Sequence, residues 1–277
     1  SMENHDLDSA IVSAFEGMDF AHEMPIVTGY VKCDQGIMKT FDRGYSEITF
    51  SKLAVLTHAR EGVIHKEFHL STGDPKLIGE DKVEVIGNTN FDIADQLSDM
   101  GMEAIHPKAA KQMEGQNIPI RVKNAFDPEH PGTLISRDYI SPVPRVEMIC
   151  GRNDIIAIEV HDPKMVGESG YDYHLTECLK NHHISYIAKT TNANTITHFV
   201  PERNKTLEAC LADIRRKFPE SKVETCKIGI ISVIGTNMRV PGFLTRAAKT
   251  LFDAGINVLA LDQTMRQVNI QFMLNRD

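Results

Sequence analysis

Two stretches in the second half of the chain repeat one order of elements at a constant spacing of 72 residues, and this constrains the fold more than any other feature. Ile155 to His161 reads as a strand, Tyr171 to Asn181 as a helix, and Ile184 to Lys189 and Thr195 to Val200 as two further strands. Ile228 to Ile234, Phe243 to Ala254, Ile256 to Leu261 and Gln267 to Leu274 repeat that order. Placing Ile184 on Ile256 and Ile196 on Val268 gives the same spacing twice. Each copy also carries glycines between its first strand and its helix, Gly167 and Gly170 in one, Gly235 and Gly242 in the other, where the backbone must turn tightly. A fixed offset with matched element order is a duplication. The first copy continues with a helix, Thr206 to Phe218, and a strand near Lys222 to Thr225, giving a βαββαβ order. The second stops after Leu274, so either another segment supplies its missing elements or the chain ends early.

The repeat accounts for the second half alone. At 277 residues the chain exceeds what one hydrophobic core usually serves, so two or three domains are expected. From about Leu7 to Asp19 the apolar residues Ile11, Val12, Ala14, Phe15 and Met18 fall at helical spacing, and Met24 to Val31 reads as a short buried strand. The turn Cys33 to Gly36 and the loop Thr40 to Glu47 lead into a helix from about Glu47 to Arg60 and an apolar strand, Gly62 to His65. This alternation predicts an α/β fold with a layered, largely parallel sheet. Met100 to Ile135 then packs a Gly-bounded helix entry, a His-Pro break, a second short helix, a buried strand and a Pro-Gly turn into one compact unit. Its strongly polar side chains near the element ends are Glu103, His106, Lys108, Arg121 and Lys123, so the unit supports a site rather than performing chemistry itself. Ser141-Pro142-Val143-Pro144 separates this half from the repeat.

Charge narrows the partners. A net charge of −8 with scattered Lys and Arg disfavours nucleic acid, which needs a basic face. The five cysteines, Cys33, Cys150, Cys178, Cys210 and Cys226, are odd in number and none stands at CxxC spacing, so neither a disulfide framework nor a zinc knuckle is indicated and a reducing cytoplasm fits. No apolar run approaches the roughly 20 residues that span a bilayer. The acidic N-terminus lacks a signal-peptide pattern, and Ser1-Met2 looks like a tag scar ahead of a start partway through a larger protein.

Two polar runs can carry chemistry. In Phe41 to Glu47 (FDRGYSE) an Arg, a Gly and a Ser precede a helix and can supply a guanidinium, close backbone approach and N–H groups to an anion; Ser46 can equally serve as a plain helix cap. In Ile64 to Lys76 (IHKEFHLSTGDPK) a strand end runs into a polar loop, and ligands gather at the carboxyl ends of parallel strands, so His65, Lys66, His69, Ser71 and Lys76 are candidate nucleotide contacts. His65 and His69 also suggest a metal, without a third ligand nearby. Asp74-Pro75 reads as turn punctuation first and a ligand contact second. Neither GxxxxGK[ST] nor GxGxxG occurs.

In sequence order these pieces resemble the aspartate kinases, members of the amino-acid kinase superfamily whose kinase domain is followed by paired ACT domains. FDRGYSE stands where that family has a Gly-Arg-Gly-Gly-Ser-Asp loop, and Asp74-Pro75-Lys76 where it has Asp-Pro-Arg. MGMEAIHP (Met100 to Pro107) and IPIRVKNAFDPEHPGTLI (Ile118 to Ile135) follow as its more specific motifs. Both copies of the repeat are similar to the ACT fold, a regulatory module that binds amino acids; the Gly-rich loop and Ala254 to Asn257 add to an element order that many ferredoxin-like domains share. FDRGYSE and HKEFHLS look like the divergent aspartate kinases of ectoine pathways.

The resemblance implies a kinase-domain portion at 1–140, a first ACT domain at 146–225 and a second at 226–277. It implies phosphoryl transfer from ATP, with Mg2+, to the side chain of L-aspartate. Arg43, Ser46 and Glu47 would lie near the transferred phosphoryl group and the aspartate, with Glu47 in place of the family's Asp. His65, Lys66, Ser71, Asp74 and Lys76 would line the nucleotide, and Glu103 stands where the common enzymes carry a lysine, a change that repels phosphate. The effector positions would be Met165, Glu168, Gly170, Ser185, Tyr186 and Asn192. Lysine-inhibited relatives carry acids at the positions of Ile187 and Ala193, so tight lysine binding is not expected here, while Glu168 and Asp172 bring negative charge to the same loop or simply cap the helix. ACT modules pair through their sheets, which predicts a homodimer. Nothing before Leu7 resembles the family's phosphate-holding Lys-Phe-Gly-Gly segment, so the chain is expected to be a fragment, inactive alone. A non-catalytic amino-acid-binding protein on a kinase-like scaffold is the alternative; a glutamate or carbamate kinase fits less well, since those enzymes typically lack tandem ACT units.

Overall fold

The structure, a computed structural model, describes residues 2–29, 45–102 and 104–276, the backbone alone for 2–7 and 45. The chain divides into two compact units, Ser1–Met148 and Ile149–Asp277.

The first unit runs α1 (Met2–Phe15), α2 (Tyr45–Leu56), β1 (Gly62–Lys66), a short α3 (Pro75–Ile78), β2 (Asn88–Asn90), α4 (Phe91–Asp99), α5 (Pro107–Gly115), β3 (Ile120–Asn124) and β4 (Thr133–Ser136). Its helices start on local signals. Asn90 accepts the Ile93 N–H at 3.0 Å to cap α4, and His106 accepts the Lys108 N–H at 3.3 Å with Pro107 as the first residue of α5. The sheet order is β1-β3-β4-β2; β1 with β3 and β2 with β4 are parallel, and β3 with β4 is antiparallel. The eight-residue connection 125–132 is too short for a parallel crossover, which imposes the antiparallel pair. Gly132 makes that return possible, since at φ 72° a Cβ would stand 2.2 Å from the Val122 carbonyl oxygen. Phe91, Ile105, Ala109, Met113, Ile120 and Ile135 fill the core between helices and sheet.

Among the described residues one expected element is absent. Residues 24–28 form no strand, and Met24 and Ile26 are 87% and 92% exposed; Pro25 removes a donor that a paired strand would need. Val31, the turn Cys33 to Gly36 and residues 40–44 lie outside the described residues.

The second unit runs β5 (Met148–His161), α6 (Tyr171–Asn181), β6 (Ala188–Thr191), β7 (Thr195–Pro201), α7 (Leu207–Lys217), β8 (Lys222–Ile234), α8 (Phe243–Asp253), β9 (Val258–Asp262) and β10 (Asn269–Asn275). The duplication holds at backbone level. Helices α6 and α8 both follow a left-handed glycine, Gly170 at φ 83° and Gly242 at φ 108°. Both are followed by a left-handed residue, His183 at φ 56° and Gly255 at φ 70°. Ile184 donates its N–H to the Leu179 carbonyl, and Ile256 to that of Leu251, each at 2.9 Å. These closing bonds occupy Ile184 and Ile256, which is why β6 and β9 begin later than their apolar runs suggest.

The sheet order is β6-β7-β5-β8-β10-β9. The expected strands Lys222 to Thr225 and Ile228 to Ile234 are one strand, β8. The front of β5 lies along the back of β8, close enough that a Cβ on Gly151 would sit 3.1 Å from the Ile230 carbonyl oxygen. An earlier segment therefore supplies the strand missing from the second copy, while no counterpart of α7 occurs there among the described residues. Ile158, Val160, Leu175, Leu179, Ile196 and Ile214 form the core between this sheet and helices α6 and α7.

Candidate functional site

In the first unit α2 precedes β1 and α5 precedes β3, so the amino ends of both helices face the carboxyl edge of that parallel pair. Helix amino ends carry unpaired N–H groups and a positive dipole end, which favours anions. Glu47, in the first turn of α2, joins the three elements. One carboxylate oxygen accepts from Lys66 Nζ at the end of β1 at 3.0 Å, and the other accepts the N–H of His106, the residue that caps α5. Ser46 is the second residue of α2, inside the helix rather than at its cap. Its hydroxyl would stand 2.5 Å from a Cβ on Gly29, so the chain at residue 29 crosses the start of α2 only as glycine; the Gly29 carbonyl accepts from Thr49 Oγ1 at 3.1 Å.

The loop after β1 holds the remaining candidates in contacts of its own. Ser71 donates to the Gly73 carbonyl at 2.9 Å, and Asp74 caps α3 by accepting the Lys76 N–H at 2.9 Å, in keeping with turn punctuation. Lys76 Nζ lies 4.5 Å from the centre of the Phe68 ring. His65 is exposed and, one residue from Lys66 on a strand, points to the other face. His69 meets Asp127 at 3.2 Å and its ring lies tilted at 56° against that of His130 with ring centres 4.4 Å apart, tying the loop after β1 to the loop after β3. Asp127 and His130 were not singled out from the sequence; the signal lay in the Asp-Pro and His-Pro-Gly turns of that second loop. Among the described residues no three His, Cys, Asp or Glu side chains converge to hold a metal. Arg43 and Glu103 lie outside the described residues. Thus Glu47 and Lys66 come together, Ser71, Asp74 and Lys76 make their contacts within the loop after β1, and His65 faces away. At the other end of the strand pair the Arg121 guanidinium binds Glu61 through two bonds, at 2.8 and 2.9 Å, and holds its carboxyl below the usual range.

The six effector positions of the second unit separate. Met165 is buried in the core beside Leu175, Glu168 is exposed, and Gly170 opens α6. Ser185 and Tyr186 border a groove against Thr176 and Lys180 of α6, whereas Asn192 lines a different cavity with Thr190 and Thr191. Beneath Tyr186 lies a polar cluster. Lys189 Nζ bonds Asp172 at 2.7 Å, and the buried Nε2 of His198 stands 3.9 Å from the other Asp172 oxygen with the Tyr186 ring edge-on to the imidazole. Burial pushes His198 down to about 4, Asp172 opposing the shift and Lys189 adding to it.

Residues 3–124 match the amino acid kinase family. The aspartate kinase Ask_Ect of Stutzerimonas stutzeri is 46% identical over 270 residues, covering 98% of this chain and 57% of that protein. Among solved structures, the aspartate kinase of Clostridium acetobutylicum superposes with a TM-score of 0.77 at 20% identity, over 85% of this chain and 55% of that one. Aspartokinase III of E. coli in complex with aspartate and ADP does so with a TM-score of 0.72 at 20% identity, over 84% and 53%. The chain spans about half the length of the curated relatives it matches. No helix among the described residues is long and apolar enough to cross a membrane.

Proposed function

We propose that this chain, which belongs to the aspartate kinase family, serves transfer of the γ-phosphoryl group of ATP to the side-chain carboxylate of L-aspartate, giving 4-phospho-L-aspartate. The observation that carries the reading is the likeness to Ask_Ect, which runs through both units. The geometry of the β1–β3 edge supports it. Phosphoryl transfer rests on positioning and charge stabilisation, and this edge offers two helix amino ends and the cation of Lys66 to an anionic substrate. Glu47, oriented by Lys66 and the His106 N–H, suits the ammonium of an amino-acid substrate.

Arg43 and Ser46 join Glu47 on the aspartate side through the family resemblance. Lys66, Ser71 and Lys76 take the nucleotide side with His65 at its margin, and Asp74 acts by setting the turn that presents Lys76. Glu103, in place of the family's lysine, leaves phosphate neutralisation to Lys66, Lys76 and Mg2+. Mg2+, when bound, offsets charge on the phosphate oxygens. Lys66, Ser71 and Lys76 would hold the nucleotide that carries the ion, and the ion would supply charge neutralisation there.

An amino-acid effector is assigned to the groove at Ser185 and Tyr186, with Glu168 and Gly170 at the start of α6; Ile187 and Ala193 offer no carboxylate to a lysine ammonium, so lysine binds weakly there. A homodimer through the second unit covers apolar side chains it leaves exposed, Phe252 and Met265 among them. Aspartate-dependent ADP release, measured on the longest product translated from the gene, tests the main reading: release that rises with L-aspartate and not with L-glutamate is expected, and release indifferent to aspartate would overturn it. Calorimetric titration giving micromolar lysine affinity would overturn the expectation of weak lysine binding alone, and a monomer by light scattering at high concentration the dimer alone.

A further inference from the structure

We propose that the second unit holds a binding site for a small organic cation, an alkyl ammonium with an apolar body, on the sheet face opposite helices α6 and α7. A cavity of about 520 Å³ lies there, within the roughly 300–1,000 Å³ typical of small-molecule sites. It exists because β6 and β9, at the two edges of the sheet, approach each other, so that the strands curl around the space. Side chains alternate along β5 and β7. Ile158, Val160, Ile196 and Val200 pack under the helices, while Ala157, Glu159, Thr197 and Phe199 line the cavity.

The lining divides by chemistry. Phe199, Ile228 and Leu259 give an apolar surface, and Leu259 remains 49% exposed, an uncovered hydrocarbon face. Glu159 and Glu224 stand on the neighbouring strands β5 and β8, and among the described residues no lysine or arginine lines the cavity. Glu159 accepts from the Thr197 hydroxyl at 3.3 Å, across the strand pair, which orients its carboxylate. Glu224 pairs with Lys222 at 2.8 Å, but both side chains are more than half exposed, and such pairs exchange readily for a better partner. An ammonium placed between the carboxylates gains charge-assisted hydrogen bonds while its hydrocarbon part covers the apolar surface. A ligand bearing a carboxylate meets two like charges instead. This cavity is separate from the groove at Ser185 and Tyr186, neither of which lines it.

Isothermal titration of the whole chain with hexylamine, hexanol and hexanoate tests the proposal, since the three share one body and differ in head-group charge. Saturable binding of one hexylamine per chain is expected, with hexanol at least tenfold weaker and hexanoate silent. Glu159→Gln and Glu224→Gln should each weaken hexylamine about tenfold, the loss of one charge-assisted hydrogen bond, and Ala157→Phe should fill the floor and abolish binding. If Ala157→Phe does not fold, the two Gln substitutions, made at exposed carboxylates, decide. Equal binding of the three probes, no saturable hexylamine binding, or unchanged affinity in both Gln variants would overturn it.

Discussion

His198 makes the stability of the second unit depend on pH in a window that can be worked out in advance. Its imidazole is buried under α6, faced by Asp172, Lys189 and the ring of Tyr186, and titrates at about 4 against an ordinary 6.5. Above both values the folded and unfolded chains are neutral at this position and the group contributes nothing to a pH slope. As pH falls through 6.5 the unfolded chain takes up a proton that the folded chain refuses until about 4, so stability is lost across that window and the loss levels off below it. Linkage puts the loss at about 1.4 kcal/mol at pH 5.5 and about 3 kcal/mol at pH 4. Amide exchange in β7 reports opening of the second unit by itself. Compared at pH 7.5 and 5.5, wild type should lose about 1.4 kcal/mol more protection than His198→Leu, a difference in which other titrating groups cancel. Direct NMR titration of the imidazole should give a midpoint near 4. A midpoint near 6.5, or the same pH dependence in both proteins, refutes the reasoning.

Three further outcomes are expected. Glu47→Ala leaves Lys66 and the His106 N–H without their shared acceptor and should cost about 1 kcal/mol or more in urea unfolding, with Glu47→Gln recovering part of it. Gly132→Ala drives a Cβ against the Val122 carbonyl at a positive φ and should destabilise the β3–β4 return by at least ~1 kcal/mol, seen as a lowered melting midpoint; an unchanged midpoint would show that the turn relaxes freely. In a Cys33→Ser background a thiol reagent should modify the native chain at Cys226, which is exposed, while the buried Cys150, Cys178 and Cys210 stay protected; burial pushes Cys150 up to about 12 and Cys210 up to about 11. Peptide mapping after labelling checks this, and early labelling of Cys150 would contradict it.

What could be read without coordinates was local. Helix α6 matches its expected bounds to the residue, because a left-handed glycine before Tyr171 and apolar residues at helical spacing act within a few positions of each other. Asp74 was legible as a turn residue for the same reason: the N–H it accepts belongs to Lys76, two residues away. The run Met24 to Thr28 forms no strand because apolar composition marks a strand only where a partner strand exists, and none pairs with it among the described residues. Strands β6 and β9 start later than their apolar runs because Ile184 and Ile256 close the preceding helices, a use of the backbone that hydrophobicity does not signal.

The candidate site shows the same division more sharply. Glu47 and Lys66 were each candidates on separate motifs, yet nothing in either motif says that one carboxylate spans them and also takes the N–H of a residue 59 positions away. The 72-residue offset determined that the second half is a duplicated module. It did not determine that the front of β5 completes the second copy, nor that β6 and β9 curl together around a cavity bearing Glu159 and Glu224. Helix caps and turns depend on forces that act over one or two turns of chain, and a repeat is visible as self-similarity of the sequence, so the sequence determines these by itself. Strand partners, the meeting of two helix ends at one edge and the curling of a sheet are decided in the tertiary structure, because each depends on how distant segments share one core.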